Sequence, residues 1–541
     1  LLKRKNVTLS NPLNAHIAED APAFERRWLA LFFICISLLT VAMDNTILNN
    51  ALPSIARNLG ASGAELQWIV DAYVLVFASL LLTMGAAGDR LGRKRLLQVG
   101  LFLFAVGSGI AALSNNIAML TAVRAFMGVG AAMIFPSTLS IIVATFPRRE
   151  LPQAIAIWSA MFGLGVGAGP LIGGSLLTVF NWTAVFLVNI PLVAVALIGG
   201  AFILAESRDA SAPPPDVPGV VLSVVGLFSL VYAIITAGEV GLTAPNVVIA
   251  FVSAILILSA FVVWELRSPA PMLPLQFFRN RSFSAANVVL ITTAFTLQGF
   301  TFLTAQYLQS VHGFSALEAG LRVFPLAVTV VISTLLSAQL AKRIGTKYTV
   351  ALGASLTSFG LAYSALVFAP TSEYPTILVG FIIVAAGLGL GISPATSSVM
   401  VSLPPRKAGV GSALNDTTRQ LGGALGIAVL GTIVNTFYLG GLNRTLNITA
   451  GLPVPLTHAL TTSIQAAHAA ITKAELAPDV TARLINATNQ AFMDGFARAF
   501  LLSAIVMLGT VGLALWTLPR FATRTETPII AAAEILPEPG R

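Results

Sequence analysis

Residues 85–97 read GAAGDRLGRKRLL: one acid, Asp89, then four cations, Arg90, Arg93, Lys94 and Arg95. The runs on either side, 65–88 and 96–114, are each apolar enough to cross a bilayer, which takes about 20 residues. A charged knot between two such runs is a loop at a membrane face. The alternation continues outward to both ends of the chain. Apolar runs fall at 28–51, 65–88, 96–114, 117–146, 153–177, 183–204, 217–237, 246–264, 283–309, 318–340, 348–369, 375–402, 410–436 and 493–518. Of 541 residues, 56% are hydrophobic and 10% charged, against roughly 25% charged in an ordinary soluble chain. That excludes a soluble enzyme, a nucleic-acid binder and a disordered scaffold. The chain reads as an all-α polytopic membrane protein.

The net charge of +9 reflects cations gathered on one side. With the N-terminus inside, Lys3, Arg4, Lys5, Arg26 and Arg27 share that side with Arg90, Arg93, Lys94, Arg95, Arg148, Arg149, Arg208, Arg267, Arg279, Arg281, Lys342, Arg343, Lys347, Arg406, Lys407, Arg520, Arg524 and Arg541. Opposite them stand only Arg57, Arg322, Arg444, Lys473, Arg483 and Arg498. The positive-inside rule then sets both termini in the cytoplasm and demands an even number of spans. The organisation is a cytoplasmic tail (1–27), a six-helix half (28–204), a linker (205–216) containing Pro213, Pro214 and Pro215, two inserted helices (217–264), a second six-helix half (283–518) and a tail (519–541). An extracytoplasmic loop, 437–492, holds His458 and His468, read as solvated since no third ligand stands nearby. The single cysteine, Cys35, allows no disulfide and no cysteine metal site.

The halves repeat. Pro136 in PSTLS and Pro394 in PATSS stand at the same offset as Pro147-Arg148-Arg149 and Pro405-Arg406-Lys407. DRLGRK (89–94) matches KRIGTK (342–347). Two parallel repeats with a central site between them make a transporter architecture, worked by rocking one half against the other.

Three stretches go further. Gly-x-x-Gly-Asp-Arg-x-Gly-Arg-Lys at 85–94, RAFMGVGAA at 124–132 and GLGVGAGPLIGG at 163–174 resemble, in order, the signature loop, the intramembrane arginine motif and the antiporter motif of the major facilitator superfamily. MDNTILNNALPSI (43–55), LQWIVDAYVL (66–75) and GVGSALNDTTRQLGGALGIAVLG (409–431) are similar to its fourteen-helix drug:proton antiporter branch. The resemblance implies the major facilitator fold, two six-helix halves plus two inserted central helices. It implies a gate at Asp89 and Arg93, beside Arg90, with Gly85, Gly88 and Gly92 permitting close approach. It also implies export, carried by Gly165, Gly169, Pro170, Gly173 and Gly174. The chain departs from the pattern at NWTAVFLVNIP (181–191), with Thr183 in place of the usual arginine, and at Lys342, where the second loop lacks an aspartate.

The ionisable residues well inside the spans are Asp44, Asp71, Arg124, Asp416 and Arg419. By the helical rise of about 1.5 Å per residue, Asp44, Asp71 and Arg124 share the outer third of the membrane. Arg124 has two candidate partners, Asp44 and Asp71. Asp416 and Arg419, at i and i+3, can pair with each other, which leaves Asp71 as the expected unpaired acid. Intramembrane charges are functional candidates by default, and Asp44, Asp71, Arg124 and Asp416 are the proton-coupling set. The bland reading makes them buried ion pairs that fix helix register. Glu318/Arg322 and Asp494/Arg498 read as local salt bridges at outer helix ends. By depth, Asn45, Asn49, Trp68, Tyr73, Trp158, Phe162, Gln298 and Gln306 are candidates for a cavity wall that suits bulky lipophilic cations.

No phosphate loop, H-E-x-x-H or G-x-S-x-G is present, so no enzyme is expected. The expected function is proton-coupled efflux of lipophilic or cationic drugs, dyes or antibiotics. The alternative is a dedicated exporter of a single metabolite or lipid. The implied partners are the lipid bilayer, protons and small lipophilic or cationic substrates, with no nucleic acid, no metal and no cofactor beyond the proton gradient. A monomer in a bacterial cell membrane is expected, with a periplasmic adaptor left open.

Overall fold

Fourteen helices of the computed structural model are long and apolar enough to cross a membrane, and every regular element among the described residues is helical. The structure describes residues 25–520 except 60–62, 148, 209–215, 242, 270, 272, 274, 404–406, 446–455, 458, 461–463 and 475. Lys3, Arg4, Lys5, the linker prolines, Arg148, Arg406, His458 and the tail beyond Arg520 lie outside the described residues.

The first six helices are α1 (Arg27–Leu59), α2 (Gly63–Leu91), α3 (Arg93–Ala112), α4 (Ile117–Thr145), α5 (Leu151–Val179) and α6 (Asn189–Ile203), the last completed to a span by the helical turn Ala184–Leu187 before it. Then come α7 (Val217–Val240) and α8 (Pro245–Arg267). The last six are α9 (Arg281–Gln306), α10 (Ala316–Ile344), α11 (Thr346–Val367), α12 (Tyr374–Val401), α13 (Ala408–Thr445) and α14 (Pro478–Thr517). Local chemistry starts several of them. Asn116 caps α4 by accepting from the Met119 N–H at 2.8 Å, and Ser315 and Glu318 form a capping box on α10.

Packing repeats with the sequence. α1 lies on α5, α2 on α4 and α3 on α4; in the same way α9 lies on α13, α10 on α12 and α11 on α12. Pro136 and Pro394 are both buried inside their helices, α4 and α12. Gly92 (φ 113°) and Gly345 (φ 99°) hold matching loops in a backbone conformation that favours glycine. The two sets meet where α5 lies on α10 and α2 on α13, while α7 packs on α8 and covers both α2 and α13. Large apolar side chains such as Phe102, Ile198, Phe202, Ile255 and Leu256 are exposed on the outside of the bundle, as a lipid-facing surface requires.

α1, α13 and α14 run past the spans expected at 28–51, 410–436 and 493–518. Most of the segment expected as a polar loop at 437–492 is helix. It includes a short helix, Ile464–Lys473, whose Ala467 and Ile471 are buried beside Leu484 of α14.

Candidate functional site

At the end of the bundle that holds the start of α1 and the end of α14, Asp89 closes the last turn of α2 and is buried. Arg93, the first residue of α3, donates to its Oδ1 from Nε (3.0 Å) and Nη2 (2.7 Å). The other two donors come from the opposite set of helices: the backbone N–H of Gly409 to Oδ1 (2.8 Å) and of Val410 to Oδ2 (3.1 Å). Asp89 therefore caps the N-terminus of α13 from another helix, where unpaired N–H groups and the helix dipole favour an anion. The approach is close because Gly85 has no Cβ; one there would overlap Ala413 and the Gly409 backbone. Glu206, which the sequence reading did not single out, caps α3 likewise, accepting from the N–H groups of Lys94 and Arg95 at 3.1 Å. Its carboxylate fills the space over Gly92. Arg90 is exposed.

Deeper in the first six helices, Arg124 Nη1 meets Asp44 Oδ2 at 2.6 Å, both side chains 1% exposed. Arg124 Nε donates to the Ile69 carbonyl (3.3 Å), and the guanidinium stands 4.2 Å from the Tyr73 ring centre. Asn189 of α6 donates to Asp44 Oδ1 at 2.8 Å. Asn189 is fully buried; the sequence signal that could have found it is a lone asparagine inside the apolar run 183–204, in the VNIP of 188–191. Asp44 is thus the partner of Arg124. Asp71, expected as the acid left over, is half-buried and is not without a partner.

The i, i+3 pair expected on α13 is not formed. Asp416 is 1% exposed, and its Oδ1 accepts from the Asn415 amide (3.0 Å) while Oδ2 is buried with no hydrogen-bond partner. Arg419 leans away across the interface, its Cζ 4.3 Å from the ring centre of Phe162 and 5.9 Å from that of Trp158, both on α5. The attraction of the aromatic faces replaces the ion pair. At the far end of the bundle, Arg322 lies over Phe314 (3.7 Å) and reaches only the carbonyl of Glu318 (3.2 Å), whose carboxylate is held by Ser315. Arg498 lies over Phe437 (4.1 Å).

α5 is glycine-striped on two faces. Gly165 and Gly169 press against Ala42, Met43 and Thr46 of α1, and Gly173 is buried on the same line. Gly163 and Gly167 face Val330 and Ala327 of α10, and Pro170 meets Gly320. Of the second face, Gly163 and Gly167 were not singled out in the sequence. The second forms the seam between the two sets of helices.

The expected wall residues scatter. Phe162 is half-buried under Arg419, and Gln298 is exposed on α9. Asn45 turns back to the Val41 carbonyl (3.2 Å), and the Asn49 side chain lies outside the described residues. Tyr73 and Trp158 are fully buried, the first under Arg124 and the second bonded to Thr138 (3.0 Å). Trp68 stands against Tyr232 of α7, ring centres 6.3 Å apart. Gln306 accepts from Gln465 of the short helix (3.0 Å).

A family model described as Major Facilitator Superfamily matches residues 34–427. The chain is 36% identical to the multidrug efflux pump LfrA of Mycolicibacterium smegmatis, over 89% of this chain and 94% of that one. It is 33% identical to the methyl viologen resistance protein SmvA of Salmonella typhimurium, over 90% of this chain and 96% of that one. In fold it is similar to the human organic anion transporter MFSD10, with a TM-score of 0.57 at 15% identity, covering 90% of this chain and all of that one.

Proposed function

Because the chain belongs to the Major Facilitator Superfamily, we propose that it exports lipophilic or cationic drugs in exchange for protons by alternating access. It is a membrane transporter, not an enzyme. The names of its relatives, a multidrug efflux pump and a methyl viologen resistance protein, support organic cations as cargo. The end of the bundle at the start of α1 and the end of α14 presents Arg90, Arg95, Arg149, Arg267 and Lys342, so it lies in the cytoplasm of a bacterial cell. The protein works as a monomer, with the proton gradient in place of a cofactor.

The observation that supports the exchange best is Asp416, a buried carboxylate whose Oδ2 has no donor. A closed ion pair has no reason to trade protons, whereas a buried acid with open capacity does. Asp416 takes a proton from the outside and yields it on the inner side as cargo enters. Asp44 and Arg124 hold the first half in shape meanwhile. The Asp89 cap on α13 joins the halves at the cytoplasmic end, so the conformation described is closed to the cytoplasm. Breaking that cap lets α2 and α13 part.

Everted membrane vesicles carrying an acid interior test the proposal. Ethidium added outside is expected to dissipate the gradient, read by acridine fluorescence, and Asp416→Asn vesicles are expected not to respond. A gradient unmoved by a varied panel of cationic dyes, with the protein present in the membrane, overturns it.

A further inference from the structure

Arg419 is an unusual arginine for a membrane core. Its Nη1 is buried without a hydrogen-bond partner, and Asp416, one turn away on the same helix, has an oxygen in the same condition. Such groups pair readily at this spacing, yet the guanidinium sits on an aromatic face instead. Phe162 is held edge-on by Phe135 at 5.8 Å, so its ring is fixed before any cation arrives. The contact joins α13 to α5, one helix from each half, and must change when the halves rock. Arg124 also stands over a ring, but Asp44, Ile69 and Tyr73 fix it on several sides. Arg419 has none of those bonds.

Resting on the export reading above, we infer that the face of Phe162 is the seat of the cargo cation and that Arg419 is its built-in competitor. In this conformation, closed at the Asp89 end, the guanidinium occupies the seat. A lipophilic cation entering from the other state takes the ring and turns Arg419 towards Asp416. When the Asp89 end closes again, Arg419 returns to the ring and ejects the cargo. The chemistry selects flat or bulky organic cations, whose charge the ring face attracts.

Ethidium binding to the purified full chain, followed by fluorescence anisotropy, tests this with Arg419→Met, Phe162→Leu and the double variant. Arg419→Met is expected to tighten binding about 3- to 30-fold, the range of a desolvated cation–π contact, and Phe162→Leu to weaken it by a similar factor. In the double variant the gain from Arg419→Met should vanish, since no seat remains to compete for. A gain of the same size in the Phe162→Leu background would mean simple relief of charge repulsion and overturns the inference, as does unchanged or weaker binding by Arg419→Met. If Arg419→Met does not fold, Phe162→Leu with binding equal to the wild type is itself the overturning result. A wild-type chain that binds ethidium but fails these tests leaves the export reading standing. A wild-type chain that neither binds nor transports any cation fails both.

Discussion

Arg124 and Arg419 each stand over an aromatic ring in the core, and their surroundings are opposite. Arg124 has a carboxylate at 2.6 Å and a carbonyl, and its acid is bonded in turn by Asn189. Arg419 has ring faces and an acid it does not reach. A fully bonded buried network is rigid, because any movement leaves a charge without partners. An open one has little to lose by moving. The first set of helices thus holds its charges as a brace, and the second holds them ready for exchange.

The same substitution at the two acids should break this comparison if it is wrong. The largest effect is expected from Asp416→Asn, which should reduce proton-coupled efflux in everted vesicles to background. Its melting temperature should stay near that of the wild type, since Arg419 keeps its ring contacts. Full efflux with Asn at 416 would remove the residue from the exchange. Asp44→Asn should do the reverse. Leaving the Arg124 charge uncompensated costs about 3–5 kcal/mol, visible as a large drop in thermal stability in detergent. A wild-type melt for Asp44→Asn would make the brace an ornament.

Asp89→Asn ranks next. It removes the charge that holds Arg93 and the α13 N-terminus, where each charge-assisted bond contributes about 1.5–3 kcal/mol. The population closed at that end should fall by about tenfold or more, read as a longer distance between spin labels on α2 and α13. Export should slow while ethidium binds more tightly, because the state in which Arg419 occupies the Phe162 ring is depleted. An unaltered distance distribution would show that the glycine contact at Gly85 suffices to hold the halves together.

Much of this was legible in the sequence, and the gaps have physical causes. Span order followed from apolar runs, and the matched loops at Gly92 and Gly345 announced the repeat. The gate at Asp89 and Arg93 was implied by the resemblance of the loop at 85–94, but its partners on α13 were not. They are backbone N–H groups, which every residue carries and no side chain marks. Depth alone could not choose between Asp44 and Asp71 for Arg124, because it does not say which way a helix faces. The Asp416–Arg419 pair failed for a similar reason: spacing gives neighbours on one helix, whereas the competitor, Phe162, came from another. Trp158, expected as cavity wall by depth, is fully buried with its indole bonded to Thr138, a partner that depth does not reveal.

The repeat offers a milder comparison that bears on the gate. The counterpart of Asp89 is Lys342, and the counterpart of the α13 N-terminus is the start of α5, where Glu150 stands. Glu150 binds Arg27 at 2.7 Å, with the side chains 29% and 16% exposed. The Arg27 hydrogen bond, helped by the charges of Arg27, Arg149 and Lys342, holds the Glu150 carboxyl below its ordinary 4.5. A depressed carboxylate contributes stability above its unfolded value and loses it as pH falls through the folded one. A half-exposed pair contributes at most about 1 kcal/mol. The melting temperature of Glu150→Gln should therefore lie slightly below wild type at about pH 7, and the two should converge at about pH 3. Convergence is the informative part, because a gap that persists in acid would mean that Glu150 acts through shape at the start of α5 and not through charge. In that case the buried lock at Asp89 would have no electrostatic counterpart across the repeat, and the gate would rest on one carboxylate.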